Sequence, residues 1–393
     1  MRIPSPCVLI AICCIVPPAF LTAGVADADT PPAREQNTAS IPKKVSDAEV
    51  QKSIDNGIEF LKSRGADANG AFSGATGTAV TSLCVTAILK HRPAMIDDPL
   101  IKRSLAYLES NFQADGGVYR RGSKYRNYET STGVLALVAA NRDGRYDSQL
   151  RKAEAFLKGL QWDEGEGVES SDPAYGGAGY GSHRRPDLSN TSFMIDALKE
   201  LGNGPQDPSI QKALSFLSRT QNLNPKTHNA DQKNDTPHGD KINDGGFYYT
   251  PAAGGETKAE VTPTGGLRSY GSMTYAGLKS MIFAGLEKDD PRVVAAMTYI
   301  RNTYTLESNP GVGYQGLYYY YHTFAKALNA ADVELLQDAK GVDHDWRSEI
   351  QSTLVAAQQS DGAWLNEKSE RWMEGDRPLV TAYCLLALHY AKE

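Results

Sequence analysis

The sequence predicts an all-α fold: an α/α toroid, in which about six helical hairpins close into a ring around a central cavity. Three observations carry this. From Val50 to the C-terminus one outline recurs, a helix with charges on one side, a turn, then a more apolar helix. Each turn sets glycine one or two places before an aromatic: Gly70-Ala71-Phe72, Gly117-Val118-Tyr119, Gly179-Tyr180, Gly246-Phe247, Gly313-Tyr314 and Gly362-Ala363-Trp364. Both ends of the array are apolar, Val80 to Leu89 in the first unit and Ala382 to Leu388 in the last. An open solenoid needs polar caps at its ends. Apolar ends bury one another when the array closes.

The elements follow in chain order. Residues 1–28 read as an export signal: Arg2 is a short positive end, Cys7 to Phe20 an apolar stretch broken by Pro17-Pro18, and Ala26-Asp27-Ala28 offers small residues for cleavage after Ala28. The implied location is periplasmic or extracellular, and no later run is long enough to cross a membrane. Residues 29–45 are polar and proline-containing, a disordered leader. A single toroid domain is assigned to 46–393. The first helices of its units carry pairs such as Phe60-Leu61, Tyr107-Leu108 and Phe216-Leu217, and Lys102-Arg103 or Arg151-Lys152 mark a solvent side. The second helices align on Thr81, Thr130, Thr191, Thr274, Thr323 and Thr381, with Ala87, Ala136, Ala197, Ser280, Asn329 and Ala387 six positions on, and are expected to be buried. Insertions at 163–186 and 222–264 lengthen units three and four; long loops on a rigid scaffold often carry binding groups or lids.

Composition bounds the function. The chain has 393 residues, 40% hydrophobic and 22% charged, as in an ordinary globular protein. A net charge of −6 argues against nucleic acid as a partner. Of five cysteines, Cys7, Cys13 and Cys14 leave with the signal. Cys84 and Cys384 stand at equal offsets from their aligned Thr, so ring closure makes them neighbours, expected as buried free thiols.

The turn Gln358-Gln359-Ser360-Asp361-Gly362-Ala363-Trp364 resembles the glutamine–tryptophan repeat of squalene–hopene cyclases, and Gln113-Ala114-Asp115-Gly116-Gly117-Val118-Tyr119 is a Tyr version. Residues from about 50 to 393 resemble the terpenoid cyclase and protein prenyltransferase α/α-toroid superfamily. The resemblance implies an isoprenoid-type ligand. It also implies an acid motif, Asp-x-Asp-Asp-Thr-Ala, at the start of an inner helix. The matching stretch is Asp187-Leu188-Ser189-Asn190-Thr191-Ser192, in which Ser189 stands at the proton donor and Asn190 at the next acid. A serine hydroxyl cannot protonate an alkene. In the prenyltransferases a Tyr-His-Thr stretch supplies one zinc ligand. Tyr321-His322-Thr323 is similar, but its Asp-x-Cys partner is missing, so no metal and no cofactor are expected.

The residues just before the aligned Thr are Val80, Glu129, Asn190, Met273, His322 and Val380. On a ring they share one mouth, with Glu129 and His322 facing each other across it and Asp187 and Asn190 beside Glu129. Glu129, Asp187 and His322 are therefore the catalytic candidates. Read more plainly, Glu129 serves the positive end of its helix and Asp187, Ser189 and Asn190 act as caps. Tyr128, Ser189, Asn190, Ser272, Tyr318 and Tyr321 are the candidate ligand-binding residues, since aromatic rings around a cavity hold isoprenoid chains, sugars or cations. His228, Asp231, Asp235, His238, Asp240 and Asp244 lack the spacing of a calcium loop and read as a solvated loop. The expected function is thus an exported cyclase-like protein binding an apolar or sugar-like small molecule. A carbohydrate hydrolase or lyase and a non-catalytic scaffold are the alternatives.

Overall fold

In a computed structural model, residues 44–181, 185–224 and 238–392 are described. The signal, nearly all of the leader and the middle of the 222–264 insertion, with His228, Asp231 and Asp235, lie outside them. Among the described residues the longer helices are α1 (Asp47–Phe60), α2 (Ala79–His91), α3 (Pro99–Glu109), α4 (Arg126–Ala140), α5 (Asp147–Lys158), α6 (Leu188–Glu200), α7 (Pro208–Thr220), α8 (Gly271–Phe283), α9 (Pro291–Thr303), α10 (Leu317–Ala330), α11 (Trp346–Ala357) and α12 (Arg377–Tyr390). Leu336–Gln337 pairs antiparallel with Asp343–His344.

The even-numbered helices form an inner ring. α2 packs on α4, α4 on α6, α6 on α8, α8 on α10, α10 on α12, and α12 back on α2. The toroid therefore closes. Cys84 and Cys384 are buried free thiols, and the Cys84 sulfur lies 3.5 Å from the Pro378 carbonyl of α12. Burial separates the layers. In α2 every residue but Lys90 is buried, whereas α5 buries only Leu150, Ala153 and Leu157. Outer helices α3, α7 and α9 start at Asp-Pro: Asp98, Asp207 and Asp290 accept the second helical N–H, and proline takes the position whose N–H has no partner.

The aligned threonines have a structural reason. Thr81, Thr130, Thr191, Thr274 and Thr381 accept the backbone N–H of Phe72, Val118, Ala178, Phe247 and Trp364 at 2.9 to 3.2 Å, which pins each turn to its inner helix. Thr323 bonds only the Tyr319 and Tyr320 carbonyls of its own helix. The glutamines staple turns to the next outer helix: Gln358 Nε2 donates to Ser53 O of α1, Gln161 to Ser209 O of α7 and Gln221 to Arg292 O of α9, each at 2.8 Å. Glycine is required where the turn presses on that helix. At Gly362 (φ +92°) a Cβ would sit 2.4 Å from the Asn56 carbonyl of α1, and at Gly176 (φ +81°) 1.8 Å from the Lys212 carbonyl of α7. In the third turn this glycine is Gly176, not the Gly179 that the sequence pattern selects.

Candidate functional site

The N-terminal ends of the inner helices surround a cavity of about 650 Å³. Four rings form its collar. Tyr128 of α4 meets Phe193 of α6 edge-on at 4.9 Å, Phe193 stacks on Tyr319 of α10 at 6.1 Å, Tyr319 lies 5.8 Å from Tyr383 of α12, and the Tyr383 and Tyr128 hydroxyls are 3.3 Å apart. A second hydroxyl pair, Ser189 Oγ and Tyr319 Oη at 3.1 Å, joins α6 to α10. Asn190, Ser272 and Met273 also line the cavity. The insertions add Tyr180 from the first, and Tyr249 and Lys258 from the second, with the Lys258 ammonium 4.3 Å over the Tyr249 ring. Arg120 stands on the lining too, bonding the Ala75 carbonyl at 2.6 Å, and Trp372 and Met373 reach the mouth on left-handed backbone (φ 59° and 66°).

The two candidate carboxylates are placed differently: Glu129 is on the cavity lining but its oxygens are taken up by hydrogen bonds, and Asp187 is not on the lining. Glu129 is 1% exposed. Its Oε2 accepts the N–H and hydroxyl of Thr78, the N-cap of α2, at 2.8 and 3.1 Å, and the N–H of Arg120 at 2.9 Å, while Ser123 bonds its Oε1. It serves the positive end of the neighbouring helix α2 rather than of its own. Asp187 caps α6, taking the Asn190 N–H at 2.9 Å and the Asn190 amide at 2.8 Å, with the Tyr249 hydroxyl also bonded to it. Burial raises its pKa to about 6. Asp187 lies behind the wall and does not line the cavity.

The structure separates His322 from Glu129. Helix α10 enters the ring in a different register from the other inner helices, as the unpinned Thr323 shows, so His322 lies a turn deeper than aligned. It stacks on Tyr383 at 5.5 Å, on the far side of the collar, and lines a second, smaller pocket. Burial, then Lys326, lowers its pKa to about 3, so the imidazole is neutral. The same shift displaces Tyr318 and Tyr321. The ring of Tyr318 packs edge-on against Tyr321, the Tyr321 hydroxyl bonds the Leu306 carbonyl at 2.5 Å, and neither lines the cavity; Tyr319 does.

Two features escaped the sequence pattern. Phe193 and Tyr383 both stand two residues after an aligned Thr, a regularity that could have found them. Glu374 had no such signal. It is fully buried at the start of α10, accepting the N–H groups of Tyr318 at 2.9 Å and Tyr319 at 2.8 Å and the Asn366 amide at 2.6 Å, and burial raises its pKa to about 7. It holds the N-terminus that presents Tyr319. Among the described residues no three metal-ligating side chains converge. Asp244 is engaged by Ser269 and the Gly246 N–H, and His238 packs on Tyr248.

The family described as the squalene-hopene cyclase C-terminal domain matches residues 44–238. Over those residues the chain is similar to the squalene-hopene cyclases. Three solved forms of the type II terpene cyclase MstE from Scytonema share its fold: an apo variant at 13% identity and TM-score 0.52, one holding its substrate geranylgeranyl dihydroxybenzoate at 12% and 0.52, and one holding the product merosterolic acid A at 12% and 0.51. Each match covers 88% of this chain and 97% of that chain. No described helix is long and apolar enough to cross a membrane.

Proposed function

We propose that this terpenoid-cyclase-like chain binds, outside the cytoplasm, an isoprenoid-like ligand that carries an oxygen function, and that it does not cyclise squalene by protonation. The collar carries this reading. Four aromatic rings from four helices present flat apolar surface to a chain, and the two hydroxyl pairs offer donors and acceptors to an alcohol, ketone or ether oxygen. The volume of about 650 Å³ suits a small-molecule site. The position that would carry the acid holds Ser189, and the nearby carboxylates of Asp187 and Glu129 are spent on backbone N–H groups. The prenylated substrate held by MstE supports the ligand class. Export is inferred from the apolar stretch Cys7 to Phe20. A glycoside hydrolase needs two carboxyl groups flanking a bond, and no observation here favours that use of Glu129 and Asp187.

Calorimetric titration with geranylgeraniol, squalene and a mixed oligosaccharide panel tests this. Saturable binding of geranylgeraniol, weakened at least tenfold by Tyr319→Ala, is expected. Oligosaccharide binding with no isoprenoid binding, or polycyclic product from squalene above a protein-free blank, overturns it.

A further inference from the structure

A second space lies beyond the collar, at the C-terminal ends of the inner helices. It measures about 50 Å³ and is lined by Leu83, Leu135 and Leu386 together with His322, Lys326 and Tyr390. It is much smaller than the upper cavity and large enough to hold a water-sized or slightly larger guest. The collar separates it from the upper cavity, because the His322 ring stacks beneath Tyr383.

Its electrostatics are unbalanced. Asp196 of α6 is 2% exposed and pairs with two lysines, Lys279 Nζ at 2.6 Å and Lys326 Nζ at 2.7 Å, both nearly as buried. One carboxylate against two ammonium groups leaves one positive charge in a low-dielectric interior. Each ammonium has three donors, and Asp196 takes only one from Lys326. Lys90 and Glu200 also border the space and offset each other in charge. His322 adds the independent observation. It is 5% exposed, and its Nδ1 has no hydrogen-bond partner among the described residues. A buried ring nitrogen without a partner is costly, as is a buried cation in excess, and one anion resolves both.

We infer that this lower pocket is a binding site for one small monovalent anion, a halide or a carboxylate of formate size, held by the free N–H donors of Lys326 and by His322. The small volume favours an anion of a few heavy atoms. The site is separate from the ligand cavity and does not depend on the ligand proposed for it.

Unfolding midpoints in sodium bromide, sodium formate and sodium gluconate at one ionic strength test the inference, gluconate serving as the bulky comparison. Bromide and formate should raise the midpoint saturably above gluconate, and the difference should vanish in Lys326→Met, which leaves Asp196 paired one-to-one with Lys279. A bromide-soaked crystal of the unaltered chain should show one anomalous peak within hydrogen-bonding distance of Lys326 Nζ. Should formate alone act, the site is a carboxylate site; should bromide act equally, it selects by charge and size. Equal midpoints in all three salts, or an unchanged difference in Lys326→Met, would overturn the assignment, as would a bromide-soaked crystal with no peak in this pocket when bromide has raised the midpoint.

Discussion

Glu129 was a catalytic candidate by position, and the structure makes it an anchor, so its replacement should be read in stability. In Glu129→Ala the buried N–H of Thr78 and the half-buried N–H of Arg120 lose their acceptor, as does the hydroxyl of Ser123, while the Thr78 hydroxyl keeps the Val118 carbonyl at 3.1 Å. An unsatisfied buried donor costs ~1–3 kcal/mol, and water reaches the Arg120 N–H more easily than that of Thr78. With the Ser123 hydroxyl bond included, the loss should be roughly 2–5 kcal/mol. Glu129→Gln can keep an amide oxygen at the Oε2 position and turn its NH₂ toward Ser123, which can accept. Three charge-assisted bonds then become neutral ones of about half the strength, for a loss of roughly 1–2 kcal/mol. Urea unfolding followed by circular dichroism measures both. The anchor account requires Ala to cost clearly more than Gln. A Glu129→Ala protein within 1 kcal/mol of the unaltered chain would refute it, as would Gln and Ala being equally destabilising.

Three further outcomes are expected. Gly362→Ala should destabilise by more than Gly167→Ala: both glycines have positive φ, costing ~1–2 kcal/mol, but a Cβ at 362 also strikes the Asn56 carbonyl while none of the neighbours of 167 lies within 4 Å; equal urea midpoints would contradict the close approach. Glu374 binds its proton more tightly folded (about 7) than its ordinary 4.5, so its contribution to stability is greatest below about pH 4.5 and is lost as pH rises through 7; Glu374→Gln lacks this loss, so its stability relative to the unaltered chain should improve between pH 4.5 and 7, and a pH-independent difference would count against the buried acid. Asp196→Asn leaves two ammonium groups buried without a carboxylate and should cost roughly 3–5 kcal/mol, against a smaller cost for Lys279→Met, with the order of the two read from urea midpoints.

Much of the fold was legible because its constraints are local and repeated. The turn glycine, the pinning threonine and the buried inner helix each write one residue type at a fixed spacing, and the apolar ends at α2 and α12 forecast closure. The fifth unit was not legible for the same reason. Its pattern offered a Thr at position 323, but no turn N–H reaches that hydroxyl, and the anchor there is Glu374, arriving from a loop some fifty residues later. Sequence spacing cannot show an anchor supplied by a distant segment.

That one displaced register decides the site. In an α-helix a shift of two or three residues turns a side chain by more than half a revolution, so reading α10 from Thr323 directs Tyr318, Tyr321 and His322 to the cavity, whereas anchoring its start on Glu374 directs Tyr319 there instead. In the units whose threonines are pinned, Tyr128, Ser189, Asn190 and Ser272 do line the cavity. The same geometry explains why carboxylates at the mouth are silent. Where inner helices begin, unpaired N–H groups gather, and any carboxylate placed there is drawn to them, as Glu129 is to α2, Asp187 to α6 and Glu374 to α10. An acid able to protonate a ligand would have to stand clear of those N–H groups and face the cavity. The residue that does so in this chain is Ser189, whose hydroxyl is bonded to Tyr319, and so this wall of the cavity offers hydrogen bonds instead of a proton.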